Sequence, residues 1–112
     1  MTNVIDKLYE IILERKANPS EGSYTCYLFA QGQDKILKKC GEECAEVIIA
    51  AKNGGKDELL AELGDLIYHV LVLMADSGLS PEELYRLLEE RRKKIGNLKE
   101  KYQAAADSQP AV

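Results

Sequence analysis

The segment from Asp57 to Asp76 constrains this chain more than any other. On a wheel of roughly 100° per residue, Leu59, Leu60, Leu63, Leu66, Ile67, Val70, Leu71, Leu73 and Met74 cover one side. Ala61, Gly64, Tyr68, Val72 and Ala75 leave the other side small or apolar as well. A helix apolar nearly all round belongs in an interior. Its polar residues form one narrow stripe, Glu58, Glu62, Asp65, His69 and Asp76, and that stripe does not read as a solvated face. A chain of 112 residues makes one small domain that buries roughly two thirds of its unfolded surface, so partner subunits are expected to help stabilise it.

The remaining segments read as helices too. Asn3 to Lys16 carries Val4, Ile5, Leu8, Ile11, Ile12 and Leu13 at helical spacing, and Asn18-Pro19 ends it. Pro19 to Ser23 is a loop. Ser23 to Phe29 has strand-like aromatic and β-branched content but no neighbouring segment to pair with, so it is assigned as a short helix. Gly32-Gln33-Asp34 opens a helix running to about Lys52, with Asp34 as the expected N-cap. Asn53-Gly54-Gly55 stops it. Ser77-Gly78 closes the next helix, and Ser80-Pro81-Glu82-Glu83 opens a last one to about Ile95. From Asn97 the pattern fades. The expected fold is all-α: a helical bundle with a central antiparallel helix hairpin, assembled as an oligomer. It comprises one domain over residues 1–96 and a C-terminal tail over 97–112.

Acidic residues are threaded through this hairpin. On the first of its helices Ile36, Cys40, Cys44, Val47, Ile48 and Ala51 share an apolar face. Glu43 falls inside that face, Glu46 on its edge and Glu42 further out. If the chain folds back at Gly54, Glu46 lies eight residues before the turn and Glu62 eight after, while Glu43 and Asp65 lie eleven before and after. At about 1.5 Å per residue each pair reaches a matching height, and the three-residue spacing within each helix puts side chains on one face. Four converging carboxylates repel one another unless cations hold them. Oxygen-only ligands favour a hard ion, Mg²⁺ or alternatively Mn²⁺, and helix bundles assemble acidic metal sites of this kind. Lysine pairing is the ordinary alternative: Lys39 can reach Glu43 and Lys38 can reach Glu42. No lysine lies within a turn of Glu62 or Asp65.

A hard ion with open coordination positions usually serves phosphate substrates. Lys35, Lys38 and Lys39, just before the first acids, are the candidate phosphate contacts. Arg91, Arg92, Lys93 and Lys94 read instead as complementing a helix C-terminus or coating a surface. His69 could orient a carboxylate, contact phosphate or hydrogen-bond at an interface. The net charge of −4 and pI near 5.1 argue against nucleic acid or an anionic membrane as partner. The longest apolar run, Val70 to Ala75, is too short to span a bilayer, and no signal peptide is evident, so a cytoplasmic location is expected. The three cysteines, Cys26, Cys40 and Cys44, read as small buried thiols of a reducing compartment.

The pattern E-E-x-x-E, fifteen residues, E-x-x-D, here Glu42, Glu43, Glu46, Glu62 and Asp65, resembles the metal-binding signature of the MazG-like all-α nucleotide pyrophosphohydrolases. The flanking SYTCYLFAQGQDKILKKCGEECAEVIIAAKNG and ELLAELGDLIYHVLVLM resemble, more narrowly, the phosphoribosyl-ATP pyrophosphohydrolases of histidine biosynthesis. Ser23-Tyr24-Thr25, Gly32 with Asp34 to Lys39, and Tyr68-His69 all carry that resemblance; Cys40 and Cys44 stand where small or apolar residues are usual. The resemblance implies Mg²⁺-dependent hydrolysis of phosphoribosyl-ATP to phosphoribosyl-AMP and pyrophosphate by a homo-oligomer, most simply a dimer of four-helix character. Glu43, Glu46, Glu62 and Asp65 would be the ligands, Glu42 an outer group or water-activating base, and Lys35, Lys38, Lys39 and His69 the substrate contacts. With no cyclohydrolase segment in the sequence, the enzyme would stand alone. Two rivals are a house-cleaning nucleoside triphosphate pyrophosphohydrolase of the same fold and a non-enzymatic helical dimerisation module.

Overall fold

Asn3 starts the first helix: its side chain accepts a hydrogen bond of 2.9 Å from the Asp6 amide, satisfying a donor that the helix itself cannot. In a computed structural model of the chain, which describes residues 2–94, α1 spans Val4–Ala17 and α2 Tyr24–Gln31. They are followed by α3, Gln33–Asn53, α4, Lys56–Ser77, and α5, Pro81–Arg92. All five elements among the described residues are helices, as expected for an all-α fold. By internal contacts the chain divides into two compact units, Met1–Pro81 and Glu82–Val112. The first holds α1 to α4. The second holds, among the described residues, the body of α5, where Arg92 pairs with Glu89 and Lys93 with Glu90 on the helix's own surface. The expected tail, 97–112, and Ile95 lie outside the described residues.

The ambiguous segment after Pro19 is helical, capped by the Ser23 hydroxyl, which accepts from the Cys26 amide at 3.2 Å. Asp34 is not an N-cap. The break between α2 and α3 is a single residue, Gly32, at φ 95°, a conformation costly for any residue with a Cβ. Gly32 is both the last cap of α2 and the first of α3, which leaves Asp34 in the first turn, favoured there by the helix dipole. Gly54 ends α3 in the left-handed region at φ 80°, and α4 begins after only Gly54 and Gly55.

Ile12, Leu28, Ile36 and Val72 are the large side chains with essentially no exposure, one from each of α1 to α4; each contributes about 1.5–3 kcal/mol by leaving water. Tyr9 donates its hydroxyl to the Leu79 carbonyl. Lys16 donates to the Ala75 carbonyl at 3.0 Å while lying over the Phe29 ring, so α1, α2 and the end of α4 are joined at one cation.

The buried face of α3 differs from the one the wheel suggests. It runs Ile36, Cys40, Glu43, Val47, Ala50, whereas Cys44, Ile48 and Ala51 are exposed. Cys44 is therefore no buried thiol, and Cys26 and Cys40 are only half-buried. On α4 part of the polar stripe turns inward: His69 is 5% exposed and Glu62 half-buried, though Glu58 and Asp65 are exposed, while Leu60 is 70% exposed and Leu63 and Ile67 are also open. The apolar breadth of α4 is thus not consumed within one chain.

Candidate metal centre

Three carboxylates meet between α3 and α4. Glu43, Glu62 and Asp65 each offer an oxygen within 4.8 Å of the others. Glu43 is buried at 6% exposure and Asp65 is exposed, so the group opens from the interior to solvent. Glu46, exposed, lies outside that triplet but hydrogen-bonds to both Glu43 and Glu62. The spacing therefore brings together all four acids proposed from sequence, as a tight group of three with Glu46 beside it.

Two carboxylates share a hydrogen bond only if one of them carries a proton. Glu62 is the one that holds it: the hydrogen bond to Glu46, then burial, then the charges of Glu46, Glu43 and Asp65 push its pKa up to about 7. Burial, with the Glu46 hydrogen bond and charge behind it, also raises Glu43. Glu46 is held low, as the acceptor of bonds from Glu62 and Glu43. Even so, Glu43 Oε2 and Glu62 Oε2 are closed off from solvent and have no hydrogen-bond partner. Orphaned buried acceptors of this kind are uncommon and call for a cation or donor. An all-oxygen donor set of carboxylates fits a hard divalent ion.

Lys39 is the cation beside the group, 3.4 Å from Glu42 and 3.9 Å from Glu43. Lys38, expected to pair with Glu42, is exposed and leaves that role to Lys39. Lys35 lies over the Tyr27 ring, 5.8 Å from its centroid. Glu42 sits at the surface outside the carboxylate group, as the wheel placed it.

His69 has both ring nitrogens engaged inside the chain. Nδ1 lies 2.7 Å from the Asp65 carbonyl; a carbonyl only accepts, so Nδ1 carries a proton, and a neutral ring then accepts the Tyr24 hydroxyl at Nε2, 2.8 Å away. Burial is the main reason the Tyr24 phenol is raised, which keeps it a donor. Thr25 and Tyr68 are hydrogen-bonded one helix face along, and Tyr24 stacks at 6.1 Å on Tyr27 and 6.2 Å on Tyr68. Sequence reasoning did not find these links, because α2 and α4 residues 43 to 45 positions apart share no helical period.

A family model described as phosphoribosyl-ATP pyrophosphohydrolase matches residues 5–92. A phosphoribosyl-ATP pyrophosphatase of Clostridium novyi is 56% identical over 97 residues, covering 87% of this chain and 88% of its own length. One from Pelotomaculum thermopropionicum is 58% identical over 92 residues, covering 82% and 94%. A histidine biosynthesis bifunctional protein of Caldanaerobacter subterraneus is 55% identical over 91 residues, 81% of this chain and 44% of that one.

Proposed function

The chain belongs to the phosphoribosyl-ATP pyrophosphohydrolase family, and from that premise we propose how its residues serve the reaction. It is a hydrolase that splits phosphoribosyl-ATP into phosphoribosyl-AMP and pyrophosphate in histidine biosynthesis. The observation that carries the rest is the pair of partnerless oxygens, Glu43 Oε2 and Glu62 Oε2, inside a group of mutually repelling acids. Glu43, Glu46, Glu62 and Asp65 hold Mg²⁺, with Mn²⁺ as a substitute. Bound there, the ion would neutralise charge on the phosphate oxygens and acidify a water. Lys35, Lys38 and Lys39 hold the remaining phosphate charge. Glu42, fixed by Lys39 at the edge of the group, takes the proton of the attacking water. His69 positions Tyr24 and Asp65's turn of helix and does not itself meet the substrate.

The architecture under this site is an antiparallel α3–α4 hairpin. Supporting it, the contacts Cys40 to the His69 carbonyl, 3.5 Å, and Glu46 to Glu62 join positions that are equally far from the Gly54–Gly55 turn to within one residue. A second copy of the chain covers the exposed Ile48, Leu60, Leu63 and Ile67, giving a homodimer. No helix among the described residues is long and apolar enough to cross a membrane. Free thiols at Cys26, Cys40 and Cys44 suit a cytoplasmic location.

Pyrophosphate release from phosphoribosyl-ATP, ATP and dCTP, each with Mg²⁺ and with EDTA, tests the reading. Mg²⁺-dependent release from phosphoribosyl-ATP alone is expected. Release from the simple triphosphates instead would replace the substrate, and release that persists in EDTA would remove the metal.

A further inference from the structure

We propose that the cavity at the turn end of α3 and α4 is the base pocket of this site, and that Glu58 selects a purine bearing a positive charge on its ring. The proposal rests on the phosphoribosyl-ATP reading above and deepens it. The cavity is open, about 270 Å³, and shares Glu46 and Glu62 with the acid group. That volume lies just below the ~300 Å³ lower end for pockets that enclose a whole drug-sized ligand, so it suits one part of a nucleotide. Ile49, Ala50 and Ala61 give it an apolar wall, and Asn53 and Glu58 supply the polar groups. Asn53 follows Glu46 by seven residues, about 10 Å along the helix axis, which leaves room for a ribose between a phosphate at the acids and a base in the cavity.

The charges fix which part of the substrate goes there. Lys35, Lys38 and Lys39 stand on the N-terminal half of α3, before the acids, and the cavity lies on the opposite side of Glu46. Glu58 has no ion-pair partner among the described residues. Its side chain folds back toward Gly55, 3.6 Å from where a Cβ would be. A phosphate beside it would meet like charge. Phosphoribosyl-ATP has one cationic part. Its second ribose is attached to N1 of the adenine, and N1 substitution turns the ring nitrogen and the 6-amino group into an amidine. An amidine of this kind retains a proton and a positive charge near neutral pH, whereas the adenine of ATP is neutral. A carboxylate accepting from that amidine, with the Asn53 amide on the ring edge, distinguishes the substrate from the far commoner ATP by a charge-assisted hydrogen bond.

Glu58 also stands in the first turn of α4, where any carboxylate complements the helix dipole. A role confined to that would affect all nucleotides alike, so the test is a ratio. ATP and 1-methyl-ATP, which carries the N1 charge without the second ribose, are compared as inhibitors of phosphoribosyl-ATP hydrolysis. The wild type is expected to prefer 1-methyl-ATP by about tenfold, the scale of one partly solvated charged hydrogen bond. Glu58→Gln should shrink the preference to about twofold or less by removing the charge, and Glu58→Asp should retain part of it. Equal inhibition of the wild type by both, or a preference that Glu58→Gln leaves intact, would overturn the proposal. If the wild type does not cleave phosphoribosyl-ATP, the functional reading has failed separately, and the same two nucleotides are compared by calorimetric binding with the same expected ratios.

Discussion

Glu43 on α3 and Glu62 on α4 bring oxygens within 4.8 Å of each other, and each has its Oε2 closed off from water without a hydrogen-bond partner. Two acids left in this state destabilise the fold by themselves, since each orphaned acceptor costs about 1–3 kcal/mol. On the proposed metal reading, replacing Glu62 with the isosteric Gln removes one charge and one oxygen that would hold the ion. Glu62→Gln is expected to lower kcat by about 10²- to 10³-fold, the scale of losing one preorganised group that stabilises transition-state charge. Far-ultraviolet circular dichroism should report unchanged helix content.

The hydrogen bond between Glu62 and Glu46, with burial behind it, predicts an unusual pH dependence for the metal-free protein. Glu62 titrates near 7 in the folded chain against an ordinary value of 4.5, and Glu43 is shifted in the same direction. The folded state therefore binds more protons than the unfolded one between these pH values, and stability falls as pH rises through them. Glu46, shifted down, acts in the opposite direction but at lower pH. Thermal melts in EDTA should show a Tm that declines from pH 4.5 to 7 as Glu62 loses its proton, and Mg²⁺ should restore most stability at the upper end. A Tm in EDTA that rises over that interval would contradict the buried, shared proton.

Tyr24 and His69 join α2 to α4 through one hydrogen bond. Tyr24→Phe leaves the Nε2 of a buried ring without its donor and should cost about 1 kcal/mol, or roughly 4–8 °C in Tm for a domain of this size. If His69 only positions its neighbours, Tyr24→Phe should change kcat less than Glu62→Gln does, which steady-state kinetics on both variants will decide.

The exposed apolar residues of α4 make a further prediction. Leu60 is 70% exposed, so Leu60→Glu is free of cost within one chain. In a homodimer that covers Leu60 it would bury a charge and dissociate the pair. Sedimentation velocity should find the wild type dimeric and Leu60→Glu monomeric at the same concentration.

Much of this was legible in the residues themselves. The helices followed from apolar spacing and from Gly32, Gly54, Gly78 and Pro81, because glycine and proline act locally. The acid group followed because eight and eleven residues on either side of one turn are distances that the helical rise converts directly into height. Sequence alone misassigned facing. The wheel of α3 placed Glu43 inside correctly but put Cys44 and Ile48 there too, since hydrophobicity was its only guide, whereas the structure turns Ala50 inward and leaves Cys44 exposed and Ile48 64% exposed. On α4, His69 and Glu62 of the polar stripe turn inward while Leu60 and Leu63 stand exposed on the same helix as the buried Leu71, an arrangement that no single-chain hydrophobicity rule selects. Tyr24 with His69 and Thr25 with Tyr68 depend on how α2 lies on α4, which no period in the sequence encodes.

Mn²⁺ binding to the metal-free protein, followed by the loss of the free-ion electron paramagnetic resonance signal, tests the acid group most directly. Saturable binding by the wild type, weakened at least about tenfold in Glu62→Gln, is the expected result. No saturable binding, or equal binding by the two proteins, would mean that the four carboxylates converge for some reason other than holding a cation.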